Sequence, residues 1–246
     1  MLFTTKNEHA EYFSKVARES WFKDHQIDVT ELSADNGMGI TVVDFYKPGT
    51  ICYSVRYIYS GHFLYVTGDL GDAVFNCTWK TKPVDSVWKN LWYVFEKLSA
   101  SENGRSRQCM DFDDGVCKET IRQTLLDTCE DGRTRMKPDH WSEYQSGVFT
   151  KLLNAADDCS SRDSWAAAIQ EVDRDYDLGR LDADWWEWLY GAGDVMPARM
   201  VGIITGLQIV SERLCEIQKF KKGEYECLTG ALLQSASRLM RETKKP

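Results

Sequence analysis

The sequence predicts an α+β fold, on three observations. Residues 39–78 carry strand signals, with period-two alternation from Ile51 to Tyr59; helical spacing flanks them on both sides, and beyond the loop at residues 99–106 the strand signal fades. The predicted architecture is an N-terminal helix, a four-stranded antiparallel meander and a second helix in residues 1–100. An α-helical region in residues 107–246 follows it.

The elements follow in order. Residues 8–22 place His9, Tyr12, Phe13, Val16, Ala17 and Ser20 on one face of a helix, with Trp21 beside it. Residues 39–46 are rich in β-branched and aromatic types and predict the first strand. Pro48-Gly49 marks a turn. From Ile51 to Tyr59 the period of two sets Ile51, Tyr53, Val55, Tyr57 and Tyr59 on one face, with Cys52, Ser54, Arg56 and Ile58 on the other. Ser60-Gly61 reverses the chain into His62–Thr67, a hairpin. Gly68 and Gly71 supply turn freedom before a fourth strand at 73–78. The short connections make the strands antiparallel neighbours.

Residues 83–100 return to helical spacing, with Val84, Val87, Leu91, Val94, Phe95 and Leu98 on one stripe. Ser99–Ser106 is a loop and the expected domain boundary. Helices are predicted near 113–129, 139–156, 162–173, 183–190, 197–219 and 226–242. Met200–Val210 is the longest apolar run, about half of a membrane span, and is expected to be a buried helix. Within it, Gly202-x-x-x-Gly206 lets another element approach closely, by intramolecular contact before a dimer seam.

The 246 residues, 43% hydrophobic and 12% aromatic, suffice for a substantial core. A net charge of −8 argues against a large basic surface for nucleic acid. No apolar leader is visible near Met1–His9, and the eight scattered cysteines are expected to be reduced thiols in a cytosol.

Catalytic signatures are sparse. The four histidines, His9, His25, His62 and His140, accompany no Gly-x-Ser-x-Gly elbow. There is no phosphate-binding Gly-x-x-x-x-Gly-Lys-Ser/Thr loop, and Gly68-x-x-Gly71 lies between strands instead of before a helix. Asp69 and Asp72 in that turn are expected either to accept backbone N–H bonds or to touch a partner. Cys109, Cys117 and Cys129 with Cys159 or His140 lack zinc-ligand spacing. Asp173, Asp175, Asp177 and Asp184 fit positions 1, 3, 5 and 12 of a calcium loop, but Leu178 occupies the sharp-turn position. No metal and no cofactor is therefore expected.

The stronger physical signal is charge. Between Ala155 and Val195, eleven acids face three bases. Trp185, Trp186 and Trp188 lie among Asp173, Asp175, Asp177, Asp182, Asp184 and Glu187. Successive helical residues lie about 100° apart, so three such tryptophans cannot share one core stripe. Aromatic anchors amid carboxylates suit a protein interface.

Asp35-Asn36-Gly37, Pro48-Gly49-Thr50, Tyr53, Gly61-His62 and Gly68-Asp69-Leu70-Gly71 before Val74-Phe75 resemble a pattern in an uncharacterised family of bacteriophage and prophage proteins. Trp186–Leu214, with Pro197-Ala198-Arg199 and Gly206-Leu207-Gln208, resembles another segment of phage proteins. The resemblance covers about a third of the chain. The family's Arg-His pair in the first strand is replaced here by Thr41-Val42-Val43, so no role of that pair carries over. The resemblance implies phage origin and hence a host bacterial cytoplasm. With the charge pattern, it leads to the expectation of a non-catalytic inhibitor that binds a bacterial anti-phage defence protein, such as a CRISPR nuclease complex. The alternatives are an enzyme or binding protein acting on a nucleotide or nucleic acid, and a phage structural component. A homo-oligomer is compatible with each; a membrane partner is not expected, and direct nucleic-acid binding is disfavoured.

Overall fold

The computed structural model describes residues 3–33, 39–101, 109–127, 143–180 and 184–221. They form a mixed α/β protein with seven α-helices and a six-stranded antiparallel sheet. The chain divides into two compact units, each discontinuous in sequence. Met1–Tyr12 groups with Met110–Pro197, and Phe13–Cys109 groups with Ala198–Pro246. This differs from contiguous blocks at 1–100 and 107–246.

The sheet lies in the second unit. Its strands are β1 (Gln26–Ser33), β2 (Gly39–Tyr46), β3 (Val55–Ser60), β4 (Phe63–Gly68), β5 (Ala73–Asn76) and β6 (Leu98–Ser101), paired in that order. The expected meander of four strands is thus the centre of a sheet of six. β1 escapes the sequence pattern because it is an edge: only Ile27 is buried and residues 30–33 are exposed, so period-two hydrophobicity fades along it. β6 was hidden inside the predicted 83–100 helix. That segment is instead a 3₁₀ turn at Ser86–Lys89, the short helix α2 (Leu91–Glu96) and then β6. Asn90 breaks it, with φ −96° and ψ 98°, and its side chain accepts the Tyr93 N–H as an N-cap. The strand expected from Ile51 begins only at Val55, and the hairpin and fourth strand fall within two residues of expectation.

The inner sheet face is a core. Phe45 pairs with Val55, Val43 with Tyr57 and Tyr57 with Val66, and Tyr59 with Leu64 and Leu64 with Phe75; all are at most 3% exposed. Helix α7 (Ala198–Lys221) covers this face, because α2 with its six residues is too short to do so. Its run Val201–Val210 is buried throughout, as a helix apolar on all sides should be. The Gly202-x-x-x-Gly206 motif acts within the unit. A Cβ at Gly202 would meet the Trp21 ring and one at Gly206 the Tyr57 hydroxyl, which itself donates 2.7 Å to the Ile203 carbonyl.

The first unit is helical. Helix α1 (Lys6–Val16) begins in it and continues into the second unit, where a π turn, Ala17–Trp21, extends it. α3 (Asp114–Asp127), α4 (Glu143–Asp158), α5 (Arg162–Tyr176) and α6 (Trp185–Leu189) follow, with a small ribbon of β7 (Asp111–Phe112) and β8 (Asp194–Val195). Cys117, Ile121, Val148, Leu152, Trp165, Ile169, Val172, Leu178 and Leu189 form its core. Ser161 and Ser164 cap α5 reciprocally, and Trp165 Nε1 donates 2.9 Å to the Leu189 carbonyl. The helices expected between 113 and 219 thus appear close to their predicted places. The one expected at 226–242 lies outside the described residues, as do Asp35–Gly37, Cys129, His140 and Asp182.

Candidate functional site

The outer face of the sheet is where the second unit differs from an ordinary two-layer core. Strand register builds three rows across it. The first is Asp28, Asp44, Arg56 and Thr67; the second is Thr30, Val42, Ile58, Tyr65 and Val74; the third is Leu32, Ile40, Ser60, Phe63 and Asn76. The second and third rows carry no charge and are largely apolar. Leu32 is 52% exposed, Phe63 38% and Tyr65 40%, and the Phe63 and Tyr65 rings sit 5.9 Å apart. A buried sheet face normally excludes water from such side chains; here they meet it.

The first row lines an open cleft of about 470 Å³, together with Tyr46, Ser54 and Gly68. Its charges are fixed. Arg56 donates to both Asp44 oxygens, at 2.6 and 3.1 Å, and the Tyr46 hydroxyl donates to Asp28 at 2.6 Å. The Asp44 carboxylate beside Arg56 pushes the guanidinium pKa up. Two carboxylates against one guanidinium leave the row with a formal charge of −1, which suits a cation better than a phosphate.

At the end of the cleft stands the loop that joins β2 to β3. Ile51 at its tip is 77% exposed, and Cys52 beside it is exposed. Tyr53 adopts the left-handed conformation, φ 55°, which costs a non-glycine residue about 1–2 kcal/mol. The backbone there is clamped from both sides. Asp69 accepts the Tyr53 N–H at 2.7 Å, and His25 Nε2 lies 3.1 Å from the Tyr53 carbonyl. The Tyr53 ring stacks on Trp21 at 5.1 Å, with 7° between planes. Gly68 permits the arrangement: a Cβ on it would collide with the Ser54 carbonyl.

Asp69 is therefore a turn carboxylate that accepts a backbone N–H, while Asp72 is exposed between β4 and β5. His25 is buried, Arg213 Nη1 donates 2.6 Å to its carbonyl, and desolvation lowers its pKa. Sequence reasoning missed this loop, because Ile51 and Tyr53 continue the period of the following strand. The available signal was Pro48-Gly49 on one side and Gly68-Asp69 opposite.

The acidic segment lies in the first unit. Trp186 is 56% exposed, whereas Trp185 and Trp188 are half-buried against the helical core. Asp175, Asp177, Asp184 and Glu187 are exposed around that part of the chain. Asp173 sits in the last turn of α5, where Oδ1 accepts the Leu178 N–H at 2.8 Å and closes the turn that follows the helix. Asp175 is also helical, and Asp177 ends the helix in the left-handed conformation, φ 53°. These three aspartates therefore do not converge as calcium ligands. Among the described residues no group of three or more His, Cys, Asp or Glu is arranged to hold a metal.

The cysteines behave as small core residues where buried: desolvation pushes the Cys77 thiol up to about 11 and raises Cys117 further. No helix among the described residues is long and apolar enough to cross a membrane. Comparison of the chain with protein-family models, curated proteins and solved structures found no match.

Proposed function

We propose that this is a phage-encoded binding protein that acts in the host bacterial cytoplasm by covering a surface of a bacterial defence protein, without chemistry of its own. The observation that carries the binding role is the outer sheet face, where Leu32, Phe63 and Tyr65 are exposed and no described residue covers them, set on regular strands. Exposed apolar and aromatic groups set on regular strands lose little entropy on association. The exposed Trp186 among Asp175, Asp177, Asp184 and Glu187 supports the same reading for the first unit, by anchor and charge steering. The assignment to phage and to a defence target rests on the sequence resemblance.

A nucleotide- or nucleic-acid-binding role is the second reading, and the polar cleft is what favours it. Its charge counts against it, because Arg56 is already neutralised by Asp44. Affinity purification from a bacterial lysate, followed by mass spectrometry, tests the first reading. A discrete bacterial protein should be captured by the wild type and lost with Phe63→Asp plus Tyr65→Asp. Retention of only nucleic acid would favour the second.

A further inference from the structure

We propose that the outer face of the sheet is the docking surface of the chain's own segment 228–239, which lays an apolar helical stripe along the two uncharged rows, and that a protein partner on this face must displace it. The displacement rests on the binding reading above; the docking does not.

The second and third rows cross five strands without a charge, and none of their side chains is buried. A contiguous apolar surface of that kind marks a contact, where a single exposed side chain would not. The chain itself offers one segment that fits. Of the stretches outside the described residues, 34–38 and 102–108 are too short to cross five strands, and 128–142 and 181–183 belong to the first unit. Residues 222–246 belong to the unit that carries the sheet.

Helix α7 delivers this segment to the right edge. A Cβ at Gly206 would meet Tyr57 on β3. Seven residues later the Arg213 guanidinium stands 5.6 Å from the Phe45 ring on β2, and Nη1 donates to the carbonyl of His25, which immediately precedes β1. The helix therefore heads across the inner face from β3 towards β1, and it ends eight residues further on at Lys221. β1 is an edge of the sheet, and the two uncharged rows begin on it at Thr30 and Leu32. Layers packed on opposite faces of a sheet lie about 20 Å apart. The seven steps from Lys221 to Leu228 span about 24 Å when extended, so the chain can round β1 and return over the outer face.

The segment has the pattern and the length for that face. Leu228, Ala231, Leu232, Ala236 and Leu239 share one helical stripe. A helix rises about 17 Å between Leu228 and Leu239. Five strands at the usual spacing span about 19 Å between the outermost axes. A helix this short, with Gly230 inside it, is marginal alone in water, so it needs a surface on which to form. The tether decides between this occupant and a second copy of the chain. A segment joined to the sheet by a few residues acts at an effective concentration of about millimolar, which a second copy does not match. The same tether makes the cover a competitor: a partner reaches Phe63 and Tyr65 only by replacing the stripe.

The test has three arms on the full chain. With Tyr65→p-benzoylphenylalanine, illumination should give an intramolecular cross-link that mass spectrometry maps to residues 228–239. Leu232→Asp plus Leu239→Asp should lower its yield at least fivefold while the exchange protection of β3 is retained. No cross-link, a cross-link between two copies, or one confined to other residues would overturn the docking. In hydrogen exchange on the unsubstituted chain, the amides of residues 232–239 should be protected at least tenfold over an unstructured peptide, and the double variant should lose that protection. Free exchange in the unsubstituted chain would overturn the docking. In capture from a bacterial lysate, the double variant should recover severalfold more of a bacterial protein than the wild type, because the competitor is gone. Equal or lower recovery would overturn the displacement. No protein captured by either form, beside a cross-link to 228–239, would defeat the binding reading and the displacement together and leave the docking established.

Discussion

Gly68 is the residue on which the geometry of the braced loop turns, and replacing it with alanine is the sharpest perturbation available. Its φ is 145°, a region that L-residues rarely enter, at a strain cost of about 1–3 kcal/mol. An added Cβ would also press into the Ser54 carbonyl oxygen, 3.0 Å from the Ser54 carbonyl carbon and 3.1 Å from Val55 Cα. All three are backbone atoms in the bend that starts β3, so no side chain can swing aside. Overpacking of this kind adds about 1–3 kcal/mol. The Asp69 N–H to Ser54 carbonyl bond is displaced with it, and Tyr53 loses part of its clamp. The expected destabilisation is about 3–5 kcal/mol, a large share of a typical domain's total. Gly61→Ala is the reference: φ is 59°, nothing lies within 4 Å, and the cost should be about 1 kcal/mol. Thermal and urea denaturation followed by tryptophan fluorescence measures both. At about 2–4 °C per kcal/mol for a chain of this size, Gly68→Ala should melt about 10 °C lower. If the two variants melt together, the Ser54 approach is not rigid and the account of the loop fails.

Gly206→Ala places a methyl against the buried Tyr57 hydroxyl and disturbs its bond to the Ile203 carbonyl, so denaturation should report a loss of about 3 kcal/mol. His25 is buried and its pKa is lowered from the ordinary 6.5, mainly by desolvation, so the fold favours the neutral ring. The stability this gives is full above pH 6.5 and is lost as pH falls through the lowered folded-state pKa; urea midpoints measured between pH 7 and 5 should decline, less steeply in His25→Gln. Asp173, Asp175 and Asp177 should show no saturable micromolar calcium binding by calorimetry, because Asp173 caps the turn after α5; tight binding would contradict the helical placement of Asp175. For a captured partner that docks on the acidic segment, the association rate should fall severalfold between low and physiological salt, and a salt-independent rate would remove charge steering.

The central strands were legible in the sequence because each buries one face and exposes the other, so composition alternates as the backbone does. The helices from 113 to 190 were legible for the corresponding reason at period 3.6, and α7 by its long apolar run. β1 and β6 were not, for opposite reasons. β1 is half solvated, and its alternation dissolves into Thr30, Glu31 and Ser33. β6 contributes Leu98 to the core, and a single apolar residue fits a helical stripe as well as a strand. The grouping of α7 with the sheet was hidden too. A helix buried on all sides says that it is covered but not by what, and the six residues of α2 leave the inner face to be filled from far along the chain.

The same limit explains what could be read of the surfaces. Charge is local in sequence, so the acidic run around Trp186 stands out at once. The outer sheet face is assembled from five strands, and its rows exist only through register: Asp28, Asp44, Arg56 and Thr67 are 39 positions from end to end yet lie in one line. Tyr53 shows the point most sharply. By period it belongs with Tyr57 and Tyr59, which are buried on the inner face. In the fold it sits in the loop before β3, part-exposed with its ring stacked on Trp21, because an aspartate sixteen residues later takes its N–H and a histidine twenty-eight residues earlier meets its carbonyl. Neither residue marks itself as a clamp in the linear sequence, since aspartate after glycine is ordinary turn chemistry and a lone histidine fits a core. The energy that holds Tyr53 against its own conformational preference comes from those two contacts acting together with the Trp21 ring. Removing any one of them should therefore loosen the loop that carries Ile51 as well.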